Sequence, residues 1–177
     1  NVAGLEEKGF DIAPERVKFG RVWGDGVYVG MDETVVDHYA QDLVRKQAAA
    51  VGELRVNIKN PFEVEIDPEW VTGPASSRRN VHWDIMDSLG QMDRYVQLRT
   101  ELADKLEAED AEFEVQLTHP HAYAFTTVLK EQGYDSLIVR ERTLTPRVGG
   151  SQIVIFDPRN VTFVSGAWRT IEPVREE

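Results

Sequence analysis

The spacing of apolar and polar residues divides the chain into helical and extended stretches. Val35, Val36, Tyr39, Ala40, Leu43 and Val44 recur at three- and four-residue steps, which predicts a helix capped by Asp32 and ended by Gly52. Leu54, Val56 and Ile58 alternate with Arg55, Asn57 and Lys59, and Phe62, Val64 and Ile66 alternate again, so two extended segments follow on either side of Asn60-Pro61. A loop rich in turn formers runs from Asp67 to Arg79. From His82 to Glu109 the period is helical. Trp83, Ile85 and Met86 form a first apolar patch, Gly90 interrupts, and Met92, Tyr95, Val96, Leu98, Leu102 and Leu106 form a longer stripe. Glu101 and Lys105 are spaced to pair across one helical turn.

Thr118 with Pro120 predicts the start of a further helix, with Ala122, Phe125, Val128 and Leu129 facing inward and Gly133 ending it. Leu137 and Val139 predict a strand, Ile153–Phe156 a central strand buried on both faces, and Val161 and Phe163 one more. Near the N-terminus, residues 2–8 read as a short helix stopped at Gly9. The element mix is α+β with several hairpin-like strand pairs. There is no alternating strand-helix-strand pattern and no Gly-x-Gly-x-x-Gly after a strand, which disfavours a doubly wound dinucleotide fold.

Composition changes this picture only at its edges. The 177 residues are one domain's worth, with 41% hydrophobic and 29% charged residues. The formal charge of −11 disfavours a protein that wraps nucleic acid, whose affinity rests on neutralising phosphates. Without cysteine there is no disulfide, thiolate nucleophile or thiolate metal site. No apolar run is long enough to span a membrane, and no signal peptide is visible, so a soluble protein is expected. The first residue is Asn1, which fits a piece of something longer.

The stretch Gly24-Asp25-Gly26-Val27-Tyr28-Val29-Gly30 couples two glycines to a tyrosine, and Tyr39 follows eleven residues on. On its own this is a strand-turn-helix piece of core with two tyrosines in it. Gly24-x-Gly26-x-Tyr28 with Tyr39 resembles the NAD-binding segment of poly(ADP-ribose) polymerases and related ADP-ribosyltransferases. The upstream Asp11-Ile12-Ala13-Pro14 turn and the strand Gln152-Ile153-Val154-Ile155-Phe156-Asp157 are also similar to that family. Gly133-Tyr134-Asp135 and Phe156-Asp157-Pro158-Arg159-Asn160-Val161 resemble ADP-ribosyltransferase domains of phage polyvalent and minor capsid proteins. Residues 67–118 carry no such likeness and read as an inserted helical region.

The resemblance implies an ADP-ribosyltransferase fold with a split antiparallel sheet and flanking helices. It implies NAD as substrate, a protein acceptor, a phage or bacterial setting, either virion or host cytoplasm, and membership of a longer chain or assembly. By motif position, Gly26, Tyr28 and Tyr39 would bind NAD, the two tyrosines lying on either side of the nicotinamide ring, and Tyr28 and Gln152 would be catalytic. Gln152 stands where the family's catalytic glutamate would be. Glutamine hydrogen-bonds but brings no charge, which makes chain elongation to poly(ADP-ribose) unexpected. The family's histidine would fall before Asn1, and Val36 replaces a small hydroxyl residue that binds the nicotinamide carboxamide.

Two other readings stay open: a catalytically silent domain that serves as a structural or binding module, and NAD hydrolysis with water as acceptor. The histidines His38, His82, His119 and His121 show no metal-ligand spacing and read as solvated or capping groups, so no metal is expected. No serine-histidine-aspartate arrangement and no phosphate-binding glycine loop with lysine is present.

Overall fold

The computed structural model describes residues 24–31, 49–66, 75–109, 111, 113–141 and 151–171. The expected helix after Asp32, with Val36, His38 and Tyr39, and the expected N-terminal helix lie outside these residues.

The described elements in chain order are β1 (Val27–Gly30), β2 (Ala49–Val56), β3 (Pro61–Ile66), α1 (Ala75–Ser88), α2 (Met92–Ala108), α3 (Phe113–Glu131), β4 (Ser136–Glu141), β5 (Gln152–Ile155), a single 3-10 turn (Pro158–Asn160) and β6 (Val161–Ile171). The molecule is α+β, with two small sheets. One has four strands in the order β1-β5-β4-β3, and the other pairs β2 with β6.

The pairing is not wholly antiparallel. β1 with β5, β5 with β4 and β2 with β6 are antiparallel, but β3 lies parallel to β4, with Phe62 beside Leu137 and Val64 beside Val139. A parallel pair needs a long crossover. Here α1, α2 and α3 supply it, so the inserted helical region is the connection between two neighbouring strands. Hairpin-like pairing was expected because alternation reveals a strand without revealing its direction.

Two glycines shape the crossover. Gly90 (φ 64°) and Gly133 (φ 89°) take the left-handed conformation that closes a helix. After α1, Gly90 N–H donates to Asp87 and Gln91 N–H to Met86. After α3, Gly133 N–H donates to Lys130 and Tyr134 N–H to Leu129. Both stops match the sequence expectation. Three other expectations change. Gly52 ends no helix: it lies within β2 opposite Trp168, beside a register shift between Gly52 and Leu54. α3 begins at Phe113 and continues through Pro120, so Thr118 does not cap it. Lys105 pairs with Glu109 (3.8 Å), and Glu101 instead accepts a bond from Gln97 (2.8 Å).

The four-stranded sheet is covered differently on its two faces. On one, Phe62, Val64, Ile66, Leu137, Val139 and Val154 pack against Met86 of α1, Tyr95 and Leu98 of α2, and Phe125, Val128 and Leu129 of α3. Each large side chain fully buried there contributes about 1.5–3 kcal/mol. On the other face, Val27, Ile138, Ile153 and Ile155 meet Val29, Val56, Ile58 and Val161, which joins this sheet to the β2-β6 pair. Beyond that cluster the face opens to solvent, where Arg140 of β4 bonds Glu63 of β3 at 3.0 Å.

Candidate functional site

The glycine turn and β1 form one edge of the helix-covered face. Gly24 has φ 108°, a conformation that side chains strain to adopt, and a Cβ there would run into the Thr126 hydroxyl. Gly26 is glycine for a different reason. A Cβ at this position would stand 2.6 Å from the Ile155 carbonyl oxygen and 2.7 Å from Val154 Cγ1. The close approach of the chain to β5 therefore explains Gly26 without a ligand.

Strand alternation then sends Tyr28 to the helix side, where it packs against the core. Its hydroxyl donates to the Gly24 carbonyl at 2.8 Å, curling the side chain back over its own turn. Tyr28 stands opposite Val154, and Gln152 stands opposite Gly30. Tyr28 and Gln152 thus share a face as diagonal neighbours, a relation that places their positions about 7–8 Å apart. Gln152 opens β5 and is only 6% exposed. Of the expected site the structure brings Tyr28 and Gln152 together, while Gly26 lies against Val154 and Ile155 further along the same strand pair; Tyr39 is outside the described residues.

Several residues were not expected at this edge. α3 presents His119, Ala122, Phe125 and Thr126 toward the turn. Thr126 Oγ1 accepts the Asp25 N–H at 2.7 Å and lies 3.4 Å from the Asp25 carbonyl oxygen, to which it donates. His119 Nδ1 lies 3.7 Å from Asp25 Oδ2, with the two side chains 7% and 16% exposed. The His119 ring meets Tyr123 edge-on at 6.0 Å. Phe125, which would touch a Cβ at Gly24, stacks on His82 of α1 with ring centroids 4.2 Å apart.

The expectation of solvated or capping histidines therefore fails for His82 and His119, which are buried. His121 is partly buried, and its Nδ1 lies 2.9 Å from the hydroxyl of the fully buried Tyr95. Burial pushes that hydroxyl up to about 12. The available signal for His119 and Thr126 was their spacing. Positions 119, 122 and 126 fall on one helical face, and Asp25 is the polar residue between the two glycines they meet.

Among the described residues no three histidine, aspartate or glutamate side chains gather around a point that could hold a metal ion, and no helix is long and apolar enough to cross a membrane. Chemically, this side offers a phenol ring on β1, a primary amide on β5, and a histidine-carboxylate pair between α3 and the glycine turn. No protein-family model, curated protein or solved structure matches this chain.

Proposed function

We propose that this chain is an NAD-dependent mono-ADP-ribosyltransferase of the ADP-ribosyltransferase fold, cleaving the nicotinamide-ribose bond and passing ADP-ribose to a protein acceptor. The observation that carries the reading is the placement of Tyr28 and Gln152 as diagonal neighbours on one face of adjacent strands. The two halves of the sequence resemblance lie far apart in the chain, and their meeting at one site is what a single NAD pocket requires.

In this reading the Tyr28 ring holds the flat nicotinamide, with Tyr39 on its far side, and the Gln152 amide oxygen accepts a hydrogen bond from a ribose hydroxyl. Bond breaking builds positive charge on the ribose, as in glycoside hydrolysis. Orientation does most of what a neutral amide can offer there, and a carboxylate at 152 would add charge stabilisation.

A second reading, a catalytically silent structural or binding module, is favoured by two observations. The Tyr28 hydroxyl is engaged by Gly24, and Gln152 is nearly buried on the face that the helices cover.

Nicotinamide release from NAD by the full chain separates the two. On the enzyme reading, Tyr28→Ala lowers release by about 100-fold, equivalent to about 2.7 kcal/mol of transition-state stabilisation, and Gln152→Glu raises it. Folded protein that releases nothing, in the native form and in Gln152→Glu alike, favours the silent module.

A further inference from the structure

We propose that Thr126, on α3, is a positioning residue for Tyr28, acting through the backbone of the glycine turn. The proposal rests on the reading of Tyr28 as a group that holds NAD. Tyr28 is anchored by its hydroxyl to the Gly24 carbonyl, and the direction of that carbonyl depends on the turn around Gly24 and Asp25. Thr126 holds the turn at Asp25 from both sides, accepting its N–H and donating to its carbonyl oxygen. A second hold from the same helix acts on the same residue, since His119 faces the Asp25 carboxylate one side and two turns away along α3. Thr126 is 5% exposed, so water does not readily replace its hydroxyl. The chain of contacts runs from Thr126 to Asp25, along the backbone to Gly24, and through the carbonyl to the tyrosine.

Thr126→Val keeps the shape of the side chain and removes both hydrogen bonds. Thr126→Ser keeps the hydroxyl. In steady-state nicotinamide release by the full chain, Thr126→Val is expected to lower kcat about tenfold with KM for NAD within about twofold, because a misplaced ring costs orientation before it costs binding. Thr126→Ser restores kcat. In a Tyr28→Phe background, where the anchor is already lost, Thr126→Val has less than about a twofold further effect, the non-additivity expected of residues acting through one another.

Equal effects of Thr126→Val in the two backgrounds overturn the proposal. So does a lowered melting temperature with kcat unchanged for the folded protein. If Thr126→Val does not fold, Thr126→Ala takes its place in the same comparison, and failure of both to fold assigns the residue a purely structural role. A native protein that is folded yet releases no nicotinamide removes the underlying reading and this proposal with it. Release with no response to Thr126→Val removes this proposal alone.

Discussion

The two faces of the four-stranded sheet are made by the same strands and differ in kind. Toward β2 and β6, the positions of β1, β4 and β5 are Val27, Ile138, Ile153 and Ile155, closed by hydrophobic contact. The polar Ser136 on that side is satisfied locally by Asp135 Oδ1 at 3.0 Å. Toward the helices, β1 and β5 place Tyr28 and Gln152 on the face that the helices cover, and the helices bring buried His82, His119 and Thr126 to that side of the molecule. A stretch of four residues, Gln152-Ile153-Val154-Ile155, serves both faces, and its one polar member points to the helices. Packing alone explains the first face. It does not explain why the second accepts polar groups whose burial must be compensated bond by bond.

The sharpest way to break this contrast is to exchange the character of adjacent positions. Ile153→Gln puts an amide into the apolar face, losing burial and adding an unmet hydrogen-bonding group. A destabilisation on the order of 3–5 kcal/mol is expected from denaturant midpoints. Gly26→Ala acts at the seam, forcing β1 away from β5, and should cost about 1–3 kcal/mol by the same measurement. Gln152→Leu removes a buried polar group and leaves what it bonds unmet, so it should cost about 1–3 kcal/mol, while sharply reducing nicotinamide release on the enzyme reading. If Gln152→Leu proves as costly as Ile153→Gln, the polar position is structural and the contrast between faces loses its functional meaning.

The smallest expected effect lies further along the helix face. The Tyr95 hydroxyl is pushed by burial to about 12 from its ordinary 10.0. The unfolded chain ionises this group first, so the stability it contributes is complete below pH 10 and is lost as pH rises toward 12. Tyr95→Phe should flatten that alkaline decline, and should remove a late-ionising component from the phenolate absorbance titration of the native protein.

What the sequence made legible was local. Phe62, Val64 and Ile66 announced β3 by alternation, and the apolar run from Ile153 announced β5. Gly90 and Gly133 announced their helix ends, because a left-handed residue is needed there whatever surrounds it. What it hid was set by partners distant in the chain. Gly52 has the look of a helix stop, but its role in β2 depends on Trp168 across the ladder. Pro120 has the look of a first helical turn, yet α3 starts earlier and buries it. The spacing of His119 with Ala122 hints at an inward face, but its carboxylate partner Asp25 lies 94 positions back along the chain, and no local pattern reveals it. Tyr28 and Gln152 were recognisable as candidates only through resemblance, and their shared face follows from a register that neither strand reveals alone.

The parallel pairing of β3 with β4 also governs the order in which the molecule can assemble. Asn60 and Asp135, bonded at the foot of that pair, are separated by 75 positions, and Asp25 and Thr126 by 101. Closing such long loops is entropically unfavourable until the intervening helices have shortened them, and contacts of this range slow folding. The strand bearing Tyr28 pairs with β5 and is held by α3, so it has a complete seat only after both are in place. Amide hydrogen exchange during refolding should therefore protect α2 and α3 before Tyr28 and Val29. An intermediate of this protein would carry an ordered helical half and no site, which confines any activity to chains that have finished folding.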